Sequence, residues 1–301
     1  MALRIVIVGP GRVGTACGMR LVRNGAELLG FVGRDAGRAA EAVRSVGAGA
    51  VLSPTAAGRA HVVLFSVGDP DLPAAIAAVR AAAPVRRCSL WVHTSGLHGV
   101  EVFGDLGERR TGCLHPVAPF AGAIAGAAAM VGAPGVYSGE ARSLRLLRRL
   151  CLLLDLQPVL VDRLERGLYH AACATAANGL TALWEIVAQA FALAGLPRDA
   201  AVLLGNSLMQ RALADCVKMG AEAALSGPVR RGDAATVALH LQRLQAAVPV
   251  GEAGYTGLMR VALDLSVRAG LAPTAAQQLA SVLRLPSGTD PRDVGGQEIL
   301  D

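Results

Sequence analysis

Lysine is almost missing: Lys218 stands alone among 301 residues, and every other basic side chain in the Lys+Arg complement is arginine. Aromatic residues are scarce as well, at 3%. A net charge of +6 and a pI near 9.4 would by themselves suggest a nucleic-acid partner. With few aromatic platforms on which bases could stack, the composition argues against that partner. The arginine excess accompanies abundant Ala and Gly and reads as a coding bias. The six cysteines (Cys17, Cys88, Cys113, Cys151, Cys173 and Cys216) form no C-x-x-C pair and have no zinc-like spacing. They read as reduced thiols used as small hydrophobes, and the absence of a clustered His/Cys/Asp set leaves no case for a metal. Despite 53% hydrophobic residues, apolar runs are broken by Arg, Gly, Asp or His short of the ~20 residues that span a bilayer. Met1 to Val8 is too short for a signal peptide and runs straight into a glycine turn. The expectation is a cytoplasmic protein with no membrane partner.

What is present is an alternation. Leu3 to Val8 is a β-branched run that predicts a buried strand, followed by a helix near 12–24. Further strands are expected at Glu27 to Val32, Ala50 to Leu52, His61 to Val67, Ser89 to His93 and Gly112 to His115, with helices at about Ala36 to Val46 and Pro73 to Ala82. Two more strand candidates, Gly135 to Ser138 and Pro158 to Val161, flank an arginine-rich helix near 140–154. Strands alternating with helices predict an α/β fold, a doubly wound parallel Rossmann-type sheet, over residues 1–162. After Asp162 no strand is expected. One long helix from Arg166 to Ala194 is followed by others from Pro197 to about Met219, from Asp233 as cap to about Ala247, from Glu252 to Ala269 and from Thr274 to Leu283. This predicts an all-helical domain over 163–285, and a Gly/Pro-rich tail over 286–301 that reads as mobile.

Gly9-Pro10-Gly11-Arg12-Val13-Gly14 follows a strand directly and opens a helix. In that setting Gly9 allows the tight turn, Gly11 lets a pyrophosphate approach the backbone, and Gly14 lets helix and strand pack closely. The helix N-terminus adds free amides and a partial positive charge for the phosphates. The second strand ends Phe31-Val32-Gly33-Arg34, so Gly33 falls where an NAD site carries an acid for the ribose. Arg34, with Arg38 one turn on, could hold a 2′-phosphate, which points to NADP (NADPH). A register error of one residue would instead put Asp35 at the ribose. Ser66-Val67 and His93-Thr94-Ser95 end at the carboxyl edge of the sheet, where the nicotinamide half is expected. Asp69 and Asp71 could serve only as helix caps there.

The GPGRVG turn, His93-Thr94-Ser95-Gly96, Leu114-His115-Pro116, Tyr169-His170-Ala171-Ala172 and the Ser226–Asp233 segment SGPVRRGD occur in this order over about residues 3–285. Together they resemble a family of Rossmann-like oxidoreductases with a C-terminal helical domain of unknown function. These are relatives of pyrroline-5-carboxylate reductase, ketopantoate reductase and the β-hydroxyacid dehydrogenases. The resemblance implies an NAD(P)-dependent reductase of a small-molecule substrate, a homodimer through its helical domain, and a 2-keto acid as first substrate. A G-x-x-x-K-x-x-x-N element found in many β-hydroxyacid dehydrogenases would align its Asn with Asn178, but its Lys falls on Ala174.

Reduction of C=O or C=N needs a proton as well as hydride, and histidine titrates in the useful range. His93 and His115 follow strands at the carboxyl edge, and His170 opens the long helix; His170, Ala174 and Asn178 recur every four residues. Each histidine could equally cap a helix or bond a backbone carbonyl. Arg230 or Arg231 could clamp a carboxylate, or their segment could be a plain turn. Three functions therefore stand: a reductase of a 2-keto acid such as ketopantoate, a reductase of a cyclic imine, and a dinucleotide-binding sensor without turnover.

Overall fold

A computed structural model describes residues 2–82, 89–105 and 110–284. The expectations for Cys88 and for the 286–301 tail lie outside these residues. The chain divides into two compact units, residues 1–177 and 178–301.

The first unit is built on an eight-stranded sheet of β1 (Arg4–Val8), β2 (Glu27–Val32), β3 (Ala50–Leu52), β4 (Val62–Phe65), β5 (Leu90–His93), β6 (Arg110–Pro116), β7 (Pro134–Gly139) and β8 (Gln157–Leu160), in the order β3-β2-β1-β4-β5-β6-β7-β8. Strand side chains alternate between faces, and here both faces are apolar, as a parallel sheet covered on both sides requires. Ile5, Ile7, Val62, Leu64, Leu90 and Val92 face one core, with Leu21, Leu147 and Leu150 from the helices α1 (Arg12–Arg23) and α5 (Ala141–Leu153). Val6, Val8, Val63, Phe65 and Trp91 face the other, against Leu72, Ile76 and Val79 of α3 (Leu72–Ala82). α2 (Ala36–Val46) starts at Asp35, whose carboxylate accepts the amides of Gly37 and Arg38, and ends at Gly47 with φ +73°. Arg20 on α1 is buried and bonds Asp155, which also accepts 2.6 Å from Asn24 Nδ2. That network ties the end of α1 to the turn before β8.

The sheet departs from the all-parallel expectation at one place: β7 runs antiparallel to β6, and β8 is parallel to β7. The connection between β6 and β7 never returns to the far edge of the sheet. Its helix α4 (Ala123–Ala129) buries Ala127, with Met130 just beyond, in the same core as α1, and the Val117 amide donates to the Pro134 carbonyl at 2.9 Å. The chain thus re-enters beside the point where it left.

The last strand ends at Leu160, yet the compact unit runs on to Ala177, past the expected boundary at Asp162. The reason is α6 (Arg166–Ala174), capped by Glu165, which is bonded to the sheet through Arg166 Nη2 to Ser138 Oγ at 2.7 Å and Tyr169 OH to His115 Nδ1 at 2.6 Å. A π turn, Thr175–Gly179, then leads into α7 (Leu180–Leu193). The expected long helix is present, but its α-helical periodicity is broken at Asn178, so the face shared by His170 and Ala174 does not carry through to it. Arg166–Leu193 passes a test of length and apolar composition for a membrane span, as the helix of a protein that crosses no membrane also can. Its first turns are tied to the sheet by Arg166 and Tyr169.

The second unit contains α7, α8 (Arg198–Met219), α9 (Ala221–Ala224), α10 (Pro228–Arg231), α11 (Ala234–Ala247), α12 (Pro249–Arg268) and α13 (Pro273–Val282). Asp233 caps α11 as expected, accepting from the Thr236 amide at 3.0 Å. Val229, Val237, Leu263 and Leu279 form the core of the last four helices. Arg230 donates to the Ala269 carbonyl at the end of α12, 3.2 Å away. The turn reading of the Ser226–Asp233 segment therefore describes Arg230 and Val229: they fasten helices together.

Candidate functional site

At the point where the sheet order reverses, between β1 and β4, a cavity of about 680 Å³ opens, the position at which doubly wound sheets take ligands. Its lining includes Gly9, Pro10, Gly11, Gly33, Arg34, Arg38, Ser66, Val67 and Asp71. The three glycines differ in what they make possible. Gly9 has φ +107°, and a Cβ on it would sit 2.6 Å from the Ser66 carbonyl oxygen. A Cβ on Gly14 would sit 2.1 Å from the Gly9 oxygen. A Cβ on Gly11 would meet nothing within 4 Å, because Gly11 faces open space. Gly11 is also the N-cap of α1, and no side chain caps that helix, which leaves its first amides available to an anion. Of the remaining motif residues, Arg12 reaches the Ala121 carbonyl at 3.4 Å and Val13 packs against the core.

The register question at the end of β2 has a geometric answer. β2 ends at Val32, and Asp35 turns its carboxylate onto α2 to accept from Gly37 N at 2.8 Å and Arg38 N at 3.2 Å. No acid stands at Gly33, where a Cβ would meet the Pro10 ring at 2.8 Å. Arg34 Nη2 lies 2.9 Å from Asp71 Oδ2. Asp71 caps no helix; the sequence reading missed its pairing because 37 residues separate the partners.

A second cluster lies further along the carboxyl edge. Ser66 Oγ and Thr94 Oγ1 are 3.1 Å apart, and Ser95 Oγ accepts the amides of Leu97 and His98 at 3.1 and 3.0 Å. Ser95 is thus spent on shaping its own loop. Gly96 packs flat against His115: a Cβ there would come within 3.0 Å of the ring. His115 is pushed down to about 4, by burial first and then by the neighbouring charges of His170 and Arg166, with Asp69 opposing. Burial and Cys173 raise Tyr169, so its phenol keeps its proton and is able to donate to His115 Nδ1, the tautomer in which the imidazole hydrogen sits on Nε2. Arg166 went unnoticed in the sequence, although it sits four residues before His170. Its Nη1 is buried without a hydrogen-bond partner.

The structure brings His115 together with α6, places Asn178 in the second unit, and removes His93 from the site. His93 is 0% exposed; its Nε2 lies 3.1 Å from the Gly99 carbonyl and 3.2 Å from Cys113 Sγ, and its ring packs on Phe103. Burial pushes it down to about 4 as well. Both histidines are therefore neutral when folded and protonate near 6.5 when unfolded. Their contribution to stability is complete above about pH 6.5 and is lost as the pH falls towards 4. The unfolding free energy from urea titrations is expected to drop across that window, by up to about 1.4 kcal/mol per pH unit for each histidine, and His115→Gln should remove about half the slope. An unchanged slope in that variant would contradict the assignment.

Two family models match the chain: a Rossmann-like domain over residues 1–119 and a domain of unknown function, DUF2520, over 134–262. The Rossmann-like match contains the glycine turn and the whole cavity lining; the DUF2520 match begins at β7 and so includes the sheet edge and α6 as well as helices up to α12. No curated protein sequence matches the chain. Among solved structures, a protein of Bacteroides fragilis assigned as an NADP oxidoreductase is 20% identical, with 86% of this chain and 97% of that one covered and a TM-score of 0.71. The 1-pyrroline-5-carboxylate reductase of Streptococcus pyogenes is 15% identical (94% and 97% covered, TM-score 0.58). A reductive aminase of Aspergillus terreus, solved with NADPH and ethyl-5-oxohexanoate, is 17% identical (94% and 93% covered, TM-score 0.60). At such identities the likeness establishes the fold, a Rossmann-like sheet followed by a helical region.

Proposed function

We propose that this protein is an NADPH-dependent reductase of a small 2-keto acid. The observation that carries the cofactor part is the cavity rim, where Arg34 and Arg38 stand at the end of β2 and no acid occupies Gly33. The cavity fits a dinucleotide: Gly11 leaves the backbone open beside the uncapped start of α1. The solved structures named above, an assigned NADP oxidoreductase, a reductase and an aminase holding NADPH, support the same reading.

A bound nicotinamide supplies hydride. The chain's own task is then the proton. Neutral His115, with its hydrogen on Nε2, is suited to donate a hydrogen bond to a carbonyl oxygen, as a neutral imidazole electrophile does. As the oxygen gains negative charge it takes the Nε2 proton, the Tyr169 hydroxyl passes its proton to Nδ1, and the phenolate so formed is reprotonated from solvent. Arg166 adds positive charge beside this pair. A second reading is favoured by the same environment. Both His115 and Tyr169 are held in forms that give up a proton reluctantly, whereas a cyclic iminium substrate arrives with its own.

The test is NADPH and NADH titration of the purified protein, followed by NADPH oxidation against a panel of 2-keto acids and cyclic imines. Turnover confined to keto acids supports the first reading, and turnover confined to imines replaces it with the second. Tight binding without turnover across the panel leaves a dinucleotide-binding sensor.

The reading includes a homodimer in a reducing, cytoplasmic compartment. No residue of α7 is buried, and α8 leaves Leu203, Leu208, Leu213 and Val217 between 61% and 82% exposed, apolar surface around the helix that a second copy would cover in part. Light scattering should give twice the chain mass of 30.7 kDa, and the pair Leu208→Glu with Val217→Glu should give the monomer. A monomeric wild type would end this part of the reading.

A further inference from the structure

Resting on the reading of the cavity as a nicotinamide dinucleotide site, we propose that Asp71 limits its preference for NADPH by competing with the 2′-phosphate for Arg34. Arg34 comes from the loop after β2, and Asp71 from the turn before α3; both line the cavity, and their side chains meet at 2.9 Å. Arg34 is 87% exposed and Asp71 46%, so the pair is solvated and easily exchanged for a better partner. Arg38 lines the same rim, and its bond to Asp35 is made through the backbone amide, which leaves its guanidinium out of that bond.

The consequence differs between the two nucleotides. A phosphate is a stronger bidentate partner for a guanidinium than a carboxylate, so NADPH draws Arg34 away from Asp71. The released carboxylate then stays beside a second negative group, and both the lost ion pair and the repulsion reduce NADPH affinity. NADH carries a neutral 2′-hydroxyl at that position, so Arg34 keeps its partner and nothing is lost. Asp71 therefore narrows the ratio of the two affinities, and it does so through Arg34.

The experiment is fluorescence titration of the full chain with NADPH and NADH, for the wild type, Asp71→Asn, Arg34→Ala and the double variant. Asp71→Asn is isosteric and on the surface, and a thermal melt verifies its fold. The expected result is about a fivefold tighter Kd for NADPH with NADH changed less than about twofold, and disappearance of the gain when Arg34 is already alanine. Weaker NADPH binding by Asp71→Asn, an equal change for both nucleotides, or a gain that persists without Arg34 would each overturn the competition. Failure of the wild type to bind either nucleotide is a separate result: it removes the cavity reading itself and this proposal with it.

Discussion

Gly11→Val is expected to weaken dinucleotide binding at least about 100-fold and to leave the protein folded. Gly11 has φ −87° and ψ −173°, an extended conformation open to any residue, so no left-handed strain is introduced. A Cβ on it meets nothing within 4 Å, so the apoprotein has no clash to relieve. Valine is a poorer N-cap than glycine, which costs the helix on the order of 1 kcal/mol. Its methyl groups, however, project into the space that a pyrophosphate would fill beside the start of α1. The expected loss is at least about 100-fold in NADPH affinity, or about 2.7 kcal/mol, with a thermal midpoint lowered by only a few degrees. The neighbouring glycines behave in the opposite way. Gly14→Ala drives a Cβ to 2.1 Å from the Gly9 oxygen, and Gly9→Ala adds a clash at 2.6 Å to a φ of +107°, so both should destabilise the fold before any ligand is added. Normal NADPH binding by Gly11→Val would show that the phosphates do not pass this turn.

The contrast among these glycines shows what could be read in the sequence. The strand–turn–helix setting of the motif gave the place of the cavity, and the two apolar faces of β1, β4 and β5 gave a sheet covered on both sides. Gly33, in place of an acid, was legible because β2 ends where its hydrophobic run ends. Asp233 as a helix cap was equally local. His93 was misplaced although the alternation was available: Trp91 and His93 share a face of β5, and Trp91 is wholly buried. What could not be read depends on distance along the chain. Asp71 meets Arg34, and Arg166 meets Ser138, only once the sheet has assembled. The reversal of β7 depends on α4 packing onto α1, and the π turn at Thr175–Gly179 leaves no pattern in a run of small and apolar residues.

Removing the His115 ring is expected to lower turnover about 100- to 1000-fold while leaving the NADPH Kd unchanged, and Tyr169→Phe about tenfold to 100-fold. The order follows from the proposed roles, in which His115 presents its Nε2 hydrogen to the substrate and Tyr169 acts behind it through Nδ1 at 2.6 Å. Because His115 is pushed down to about 4, the ring stays neutral and the rate should be flat through neutral pH, changing only as the ring becomes protonated in acid. A rate that instead follows a group titrating between about pH 6 and 7 would assign the proton to another residue. The substrate class changes the size of the effect rather than its direction. A ketone oxygen needs a proton during hydride transfer, so His115→Phe should remove most of the turnover; an iminium needs none, and the same variant should then cost less than about tenfold. The His115 variant therefore distinguishes the two reductase readings independently of which compound in the panel is turned over fastest.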